Sequence, residues 1–294
     1  MPRTIELADD SVASLEGCVA AIEDHGFDPR DEASLLHAAG QLCRLGNDRD
    51  FLAKRLVAEL AGRHREDSAA SSYGPQVIML SRPDAGFFLR ANIWPSQSEH
   101  MLRASGGASF VYGLPHDHNF DFLTLGYFGS GYWSDYYEYD CESVTGWTGE
   151  PVELTFVERA RLEPGRLLHY RAHRDVHRQF PADALSVSLN VMHSAGAQGW
   201  MDQYRFDLEG NQIAGILSNG ASEAFLRIAV GLGGGEALDL AHRFGRHYPS
   251  DRMKLAAWGA LASVADDADA VWRAAELAGS LLVAGEARRL RELA

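Results

Sequence analysis

The stretch "LPHDHNFDFLTLGYF", Leu114 to Phe128, holds two histidines one residue apart. Residues two apart on an extended strand share a face, so His116 and His118 project side by side, with Phe120 and Phe122 continuing that face. Neutral imidazoles presented in this way suit first-row divalent metals. An isolated pair could equally decorate a polar sheet surface; what favours a metal is a second histidine-rich stretch, "HYRAHRDVHRQ", carrying His169, His173 and His177 after the turn "LEPGR". Six of the twelve histidines lie between positions 116 and 193. Two ligands from one strand and a third from a distant strand is how a barrel closes a site around one ion.

Three zones must position these residues. In residues 1–72, Leu15, Val19 and Ile22 recur at helical spacing, Asp28 and Pro29 mark a helix start, and "NDRDFLAKRLVAEL" restarts after Gly46. Residues 73–213 lose that period. Short β-branched and aromatic runs ("QVIML", "GFFLRANIW", "SFVYGL", "FDFLTLGYF", "YWSDYYEY", "VELTFVE", "RLLHYRA", "LSVSLNVM", "QYRFDL") alternate there with turn residues. About nine strands at this spacing predict a closed barrel or a double-sheet jelly roll, a mainly β core with α flanks. Residues 214–294 return to helix, with Phe225, Ile228 and Leu232 on one stripe, Leu255, Trp258 and Leu261 on another, and a last apolar helix over 271–283. "GLGGGE" reads as a helix break, since it follows a helical stripe and lacks the Lys-Ser/Thr of a phosphate loop. Both flanks are expected to pack on the barrel.

At these residues the chain resembles the cupin superfamily. "GLPHDHNFDFLTLG" is similar to the first cupin motif, with Gly113, His116, His118 and Gly126 in place, and "LEPGRLLHYRAHRDVHRQF…SVSLNVM" is similar to the second. The resemblance covers the central 140 residues or so and implies a jelly-roll barrel, the double-stranded β-helix, with His116, His118 and His177 as metal ligands. The glutamate that cupins often carry beyond the second histidine is replaced by Phe122 or Leu123, which points to a three-histidine site. Glu138 is a candidate extra ligand if Gly129 to Gly131 form a hairpin turn. One residue of turn length decides whether Glu138 or the pair Tyr137 and Tyr139 faces inward. These three are the candidate catalytic groups beside the metal, with Tyr132, Trp133 and Tyr136 shaping the pocket. The pattern assigns the third ligand to His177 and places His173 in the preceding turn. Gln179 and the alternating Ser186, Ser188 and Asn190 offer hydrogen bonds to a ligand.

Composition narrows the function. The chain has 294 residues, 46% hydrophobic, and a formal net charge of −14 that repels phosphate backbones, so nucleic acid is an unexpected partner. No apolar run is long enough to span a bilayer, and the acidic amino-terminal stretch is unlike a signal peptide, which makes the cytoplasm the expected compartment. The three cysteines form no CxxC pair and predict neither disulfides nor a thiolate site. Uncharged ligands leave the ion electrophilic and open to an anionic or chelating small molecule. With Fe(II), the expected metal, the resemblance extends to the thiol and diketone dioxygenases of the superfamily, and implies an oxygenase. With Zn, Mn or Ni the same site would serve an isomerase, decarboxylase or hydrolase. A non-catalytic small-molecule-binding cupin is the third reading, and a homodimer is compatible with all of them.

Overall fold

The structure, a computed structural model, describes residues 2–62, 76–83, 85–217 and 220–293. The zone boundary at 72/73 lies outside the described residues. The chain divides into two compact units, Met1–Glu138 with Thr155–Gln198, and Tyr139–Leu154 with Gly199–Ala294.

The first unit contains β1 (Arg3–Thr4), α1 (Leu15–His25), α2 (Glu32–Asn47), α3 (Phe51–Gly62), β2 (Val77–Met79), β3 (Phe87–Trp94), α4 (His100–Ser105), β4 (Phe122–Phe128), β5 (Tyr132–Glu138), β6 (Thr155–Leu162), β7 (Leu167–Tyr170), β8 (Asp175–Gln179) and β9 (Ser186–His193). A large antiparallel sheet has the order β1-β7-β4-β9-β3-β2, and a small one β6-β5-β8. The sheets face each other but do not close into a barrel. Before β4 the chain passes through 114–121, where His116 forms an isolated antiparallel bridge with His177 of β8.

The period of two sorts each strand into faces. On β3, the odd positions Phe87, Leu89, Ala91 and Ile93 join Leu123, Leu125, Leu189 and Val191 of β4 and β9 under helices α1 to α3, whose Ile22, Leu35, Ala38, Leu42 and Leu45 complete that core. The amino-terminal helices thus cover the outer face of the large sheet. The even positions Phe88 and Trp94 turn inward to a second core with Phe122, Tyr170, Met192, Tyr132, Tyr136 and Leu162. Gly126 is required at the tightest approach: a Cβ there would lie 2.0 Å from the Glu163 carbonyl oxygen. Gly129 and Gly131, at φ 84° and 70°, make the expected hairpin between β4 and β5.

The run "SFVYGL" is not a strand. It forms a 3-10 turn over Gly107–Phe110 followed by left-handed Val111 at φ 60°. Gly106 and Gly107 before it and Gly113 within it break the ladder that its β-branched and aromatic content predicts.

The second unit holds β10 (Tyr204–Asp207) and β11 (Gln212–Ile216) as a hairpin, then α5 (Ala221–Gly231), α6 (Gly235–His247), α7 (Asp251–Ala262), α8 (Ala268–Glu276) and α9 (Leu281–Glu292). Side chains of Ser250, Asp267 and Ser280 cap α7, α8 and α9. The expected stripe Phe225, Ile228, Leu232 is exposed, whereas Leu226 and Val230 pack with Trp258 and Leu261 of α7. α5 is apolar on both sides, so its period alone does not choose the buried one. The expected 271–283 helix is two helices, parted at Gly279 by its φ of 85°. No helix among the described residues is long and apolar enough to cross a membrane.

Candidate metal centre

Backbone pairing brings the two histidine stretches together. His116 N–H donates to the His177 carbonyl at 3.1 Å and His177 N–H returns the bond at 3.0 Å, so the two side chains leave on one face; His173 N–H fixes the His118 carbonyl at 2.8 Å. The result is three buried rings whose Nε2 atoms converge. His177 Nε2 lies 3.1 Å from that of His116 and 3.1 Å from that of His118. Donors at about 2.1 Å from a common ion would sit about 3.0 Å apart at right angles and about 3.4 Å apart at the tetrahedral angle, so the spacing fits one metal. His116 Nδ1 lies 2.8 Å from the Leu114 carbonyl, which can only accept. The proton is therefore on Nδ1 and the Nε2 lone pair faces the other two rings.

Electrostatics prepare the same state. Burial pushes the His116 pKa down to about 4, and pushes His118 and His177 well below the usual histidine value, each of these two further depressed by neighbouring rings. All three are neutral near pH 7, the form that coordinates. Among the described residues, the group able to hold a metal consists of these three histidines and includes no carboxylate.

The remaining candidates fall elsewhere. Strand β5 puts Tyr136 opposite His177 and turns Tyr137 to the other face, against the Phe156 ring at 5.3 Å. Glu138 shares the parity of Tyr136, but its oxygens receive Arg171 at 2.9 Å and Arg174 at 3.0 Å. Partial burial would raise its pKa, yet the cations around it, these two guanidinium groups among them, lower it to about 2, and its carboxylate serves as a clamp between β5 and the turn before β8. Tyr139 belongs to the second unit and packs its ring 5.1 Å from Phe206. His173 occupies a left-handed turn at φ 56°, with Nδ1 3.9 Å from Asp117. His169 pairs with Asp121 at 3.2 Å, and His193 rests edge-on to Phe27.

The walls come from both sheets. Phe120 and Phe122 lie 5.0 and 4.8 Å from the His118 ring, as their parity predicts. Tyr170 packs on Phe122 at 4.4 Å and on His177 at 5.0 Å, and its hydroxyl donates to that of Tyr136 at 3.1 Å. Burial raises the pKa of Tyr132, Tyr136 and Tyr170, so these phenols stay protonated. Ser186, Ser188 and Asn190 are buried on the inner face, where Ser188 accepts the Trp94 indole N–H at 3.0 Å. Sequence reasoning missed Tyr170 and Arg90. Arg90 is inward by parity on β3, with its Nε buried, and burial pulls its guanidinium pKa down to about 10 against the opposing effect of Tyr132. The signal was present as a charge at an inward position of the apolar run "GFFLRANIW".

No family model and no curated protein matches the chain. Similar solved structures include one from work on DMSP lyases, at 15% identity and TM-score 0.27, covering 45% of this chain and 52% of that one. The chain thus spans about half the length of that first relative. A DMSP lyase from Ruegeria pomeroyi DSS-3 is 11% identical over 67% of this chain and 79% of its own, at TM-score 0.26. A putative mannose-6-phosphate isomerase from Ralstonia eutropha JMP134 is 18% identical over 44% of this chain and 97% of its own, at TM-score 0.22. Likeness at this level carries no functional argument, and the chemistry of this chain rests on the two stretches that resemble the cupin motifs and on the three imidazoles they bring together.

Proposed function

We propose that the chain is a metal-dependent enzyme for a small anionic or chelating molecule, with His116, His118 and His177 as the ligands. The observation that carries this is the convergence of three buried, neutral Nε2 atoms at 3.1 Å spacing with no carboxylate among them. A divalent ion held there supplies a Lewis acid, and iron(II) adds the capacity for oxygen chemistry. Phe120 and Phe122 exclude water from one side and thereby strengthen charge attraction at the site. Tyr170 donates its hydroxyl proton to Tyr136 Oη, which leaves the Tyr136 proton to be given to a bound molecule.

Iron-dependent oxygenation is the first reading, supported by the uncharged ligand set. A redox-neutral isomerase, decarboxylase or hydrolase is the second, favoured by three buried phenols held protonated, since such reactions need an acid beside the metal. Elemental analysis of protein purified without added metal is the first test, comparing wild type with His116→Ala, His118→Ala and His177→Ala, and with His193→Ala as control. Loss of metal in the first three and retention in the fourth is expected; full occupancy in any of the three removes that residue from the set. Turnover that starts in Fe(II)-loaded protein only when oxygen is admitted supports the oxygenase. Turnover that is equal without oxygen, or with zinc, rejects it and leaves the redox-neutral reading.

A further inference from the structure

Arg90 stands on the inner face of the large sheet, the face that carries Phe122 against the His118 ring. In register, it lies beside Asn190 of β9, which in turn lies beside Thr124 of β4; the next row along is Phe88, Met192, Phe122 and Tyr170, and Phe122 touches the His118 ring. Its neighbours are therefore uncharged. The Nε atom is buried without a hydrogen-bond partner, and among the described residues no carboxylate pairs with the guanidinium. Other arginines of this unit are treated differently: Arg159 and Arg178 share Asp135, and Arg171 and Arg174 share Glu138. The fold thus neutralises its structural guanidinium groups and leaves this inward one open, at a cost that apolar residues of similar length would avoid.

We propose that Arg90 anchors the substrate by a carboxylate, so that the molecule handled at the three-histidine site is a small carboxylic acid, held at its acid end from β3 and presented by its other end to the imidazoles. A planar guanidinium fork matches two carboxylate oxygens at once, which an ammonium cannot do. One positive charge with uncharged neighbours is matched at that end of the molecule by a carboxylate monoanion, whose two oxygens the fork takes together. This assignment rests on the metal-dependent reading of the same site, and its test separates the two.

Propionate and its neutral isostere propionamide are the probes, titrated calorimetrically into metal-loaded and metal-stripped protein. Wild type is expected to bind propionate at least about tenfold more tightly than propionamide, in both forms of the protein, as a charge-assisted pair requires. Arg90→Gln should lose that preference and Arg90→Lys most of it, with metal content unchanged in both. Arg90→Met keeps the aliphatic bulk, and its melting temperature without ligand should equal or exceed that of wild type, because an unpaired buried charge is removed; a purely structural arginine would instead lower it. Equal binding of the two probes, or propionate affinity that survives in Arg90→Gln and Arg90→Met, overturns the anchor. Propionate binding seen only with metal loaded and indifferent to Arg90 overturns it as well, by placing the carboxylate on the ion. Arg90-dependent propionate binding in a protein that takes up no metal would keep the anchor and reject the metal reading.

Discussion

Lowering the pH of the metal-free protein should destabilise it well before any carboxylate titrates. Burial depresses the His116 pKa from 6.5 to about 4 in the folded state. The unfolded chain therefore binds more protons than the folded chain below about pH 6.5, and stability falls as pH falls through that value toward the folded pKa. From His116 alone, the loss between neutrality and pH 5 comes to about 2 kcal/mol, nearing 3 kcal/mol at pH 4. His118 and His177 shift in the same direction and steepen the slope. Asp135 and Glu138, whose pKa values the folded state lowers, also lose stability in acid, but only from the ordinary carboxylate range downward, so pH 6.5 to 5 isolates the imidazoles. Urea unfolding at half-unit pH steps, after stripping metal with a chelator, measures this directly. His116→Gln keeps a polar side chain without a proton to exchange, and its slope over that window should be shallower than that of wild type. A wild-type stability that is flat from pH 6.5 to 5, or parallel to that of His116→Gln, would refute the claim that these rings are buried and neutral.

Three further outcomes are expected. Tyr136→Phe should lower turnover by roughly 10²–10⁴-fold while retaining metal, as loss of a general acid does, and Tyr137→Phe, on the outer face, should leave turnover near wild type in the same assay. Glu138→Gln should keep full metal content by elemental analysis, with a melting temperature lower by a few degrees, since half-exposed ion pairs are worth at most about 1 kcal/mol. Leu189→Ala, in the core under the amino-terminal helices, should cost about 2–5 kcal/mol in urea unfolding, and a cost below about 1 kcal/mol would show that those helices do not seal that face.

The periodicities carried much of this architecture. The switch from a 3.6-residue to a two-residue period separates α1 to α3 from the strands, and the HxH parity correctly places Phe120 and Phe122 beside His118. Sheet closure was less accessible, because it depends on whether edge strands find ladders with each other, a long-range property that no local period encodes. The segment around His116 has strand-like parity yet contributes an isolated bridge, because the chain bends at Asn119 and Phe120 instead of running on beside β8. The acid and base candidates went astray for a related reason. Parity on β5 was left open between Glu138 and the Tyr137–Tyr139 pair, and the turn at Gly129 to Gly131 settles it in favour of the even positions. Glu138 is then taken up by two arginines from a turn that sequence order alone does not place nearby.

What fixes that parity in the folded protein is a charge lock on the opposite side of the small sheet. Asp135 is buried and receives Arg159 of β6 at 2.5 Å and Arg178 of β8 at 2.8 Å, directly across the strand on either side. Hydrogen bonding from Arg159, then from Arg178, outweighs the burial that would raise its pKa, so Asp135 remains ionised. A slip of β5 by one residue against β8 would separate all three charges and turn Tyr136 away from His177. The register that holds the phenol beside the histidines and the register that neutralises the carboxylate are thus the same, and neither can be lost alone. Loop 139–154, which interrupts β5 and β6, belongs to the other compact unit, so the lock also holds together two strands whose connection lies outside their own sheet.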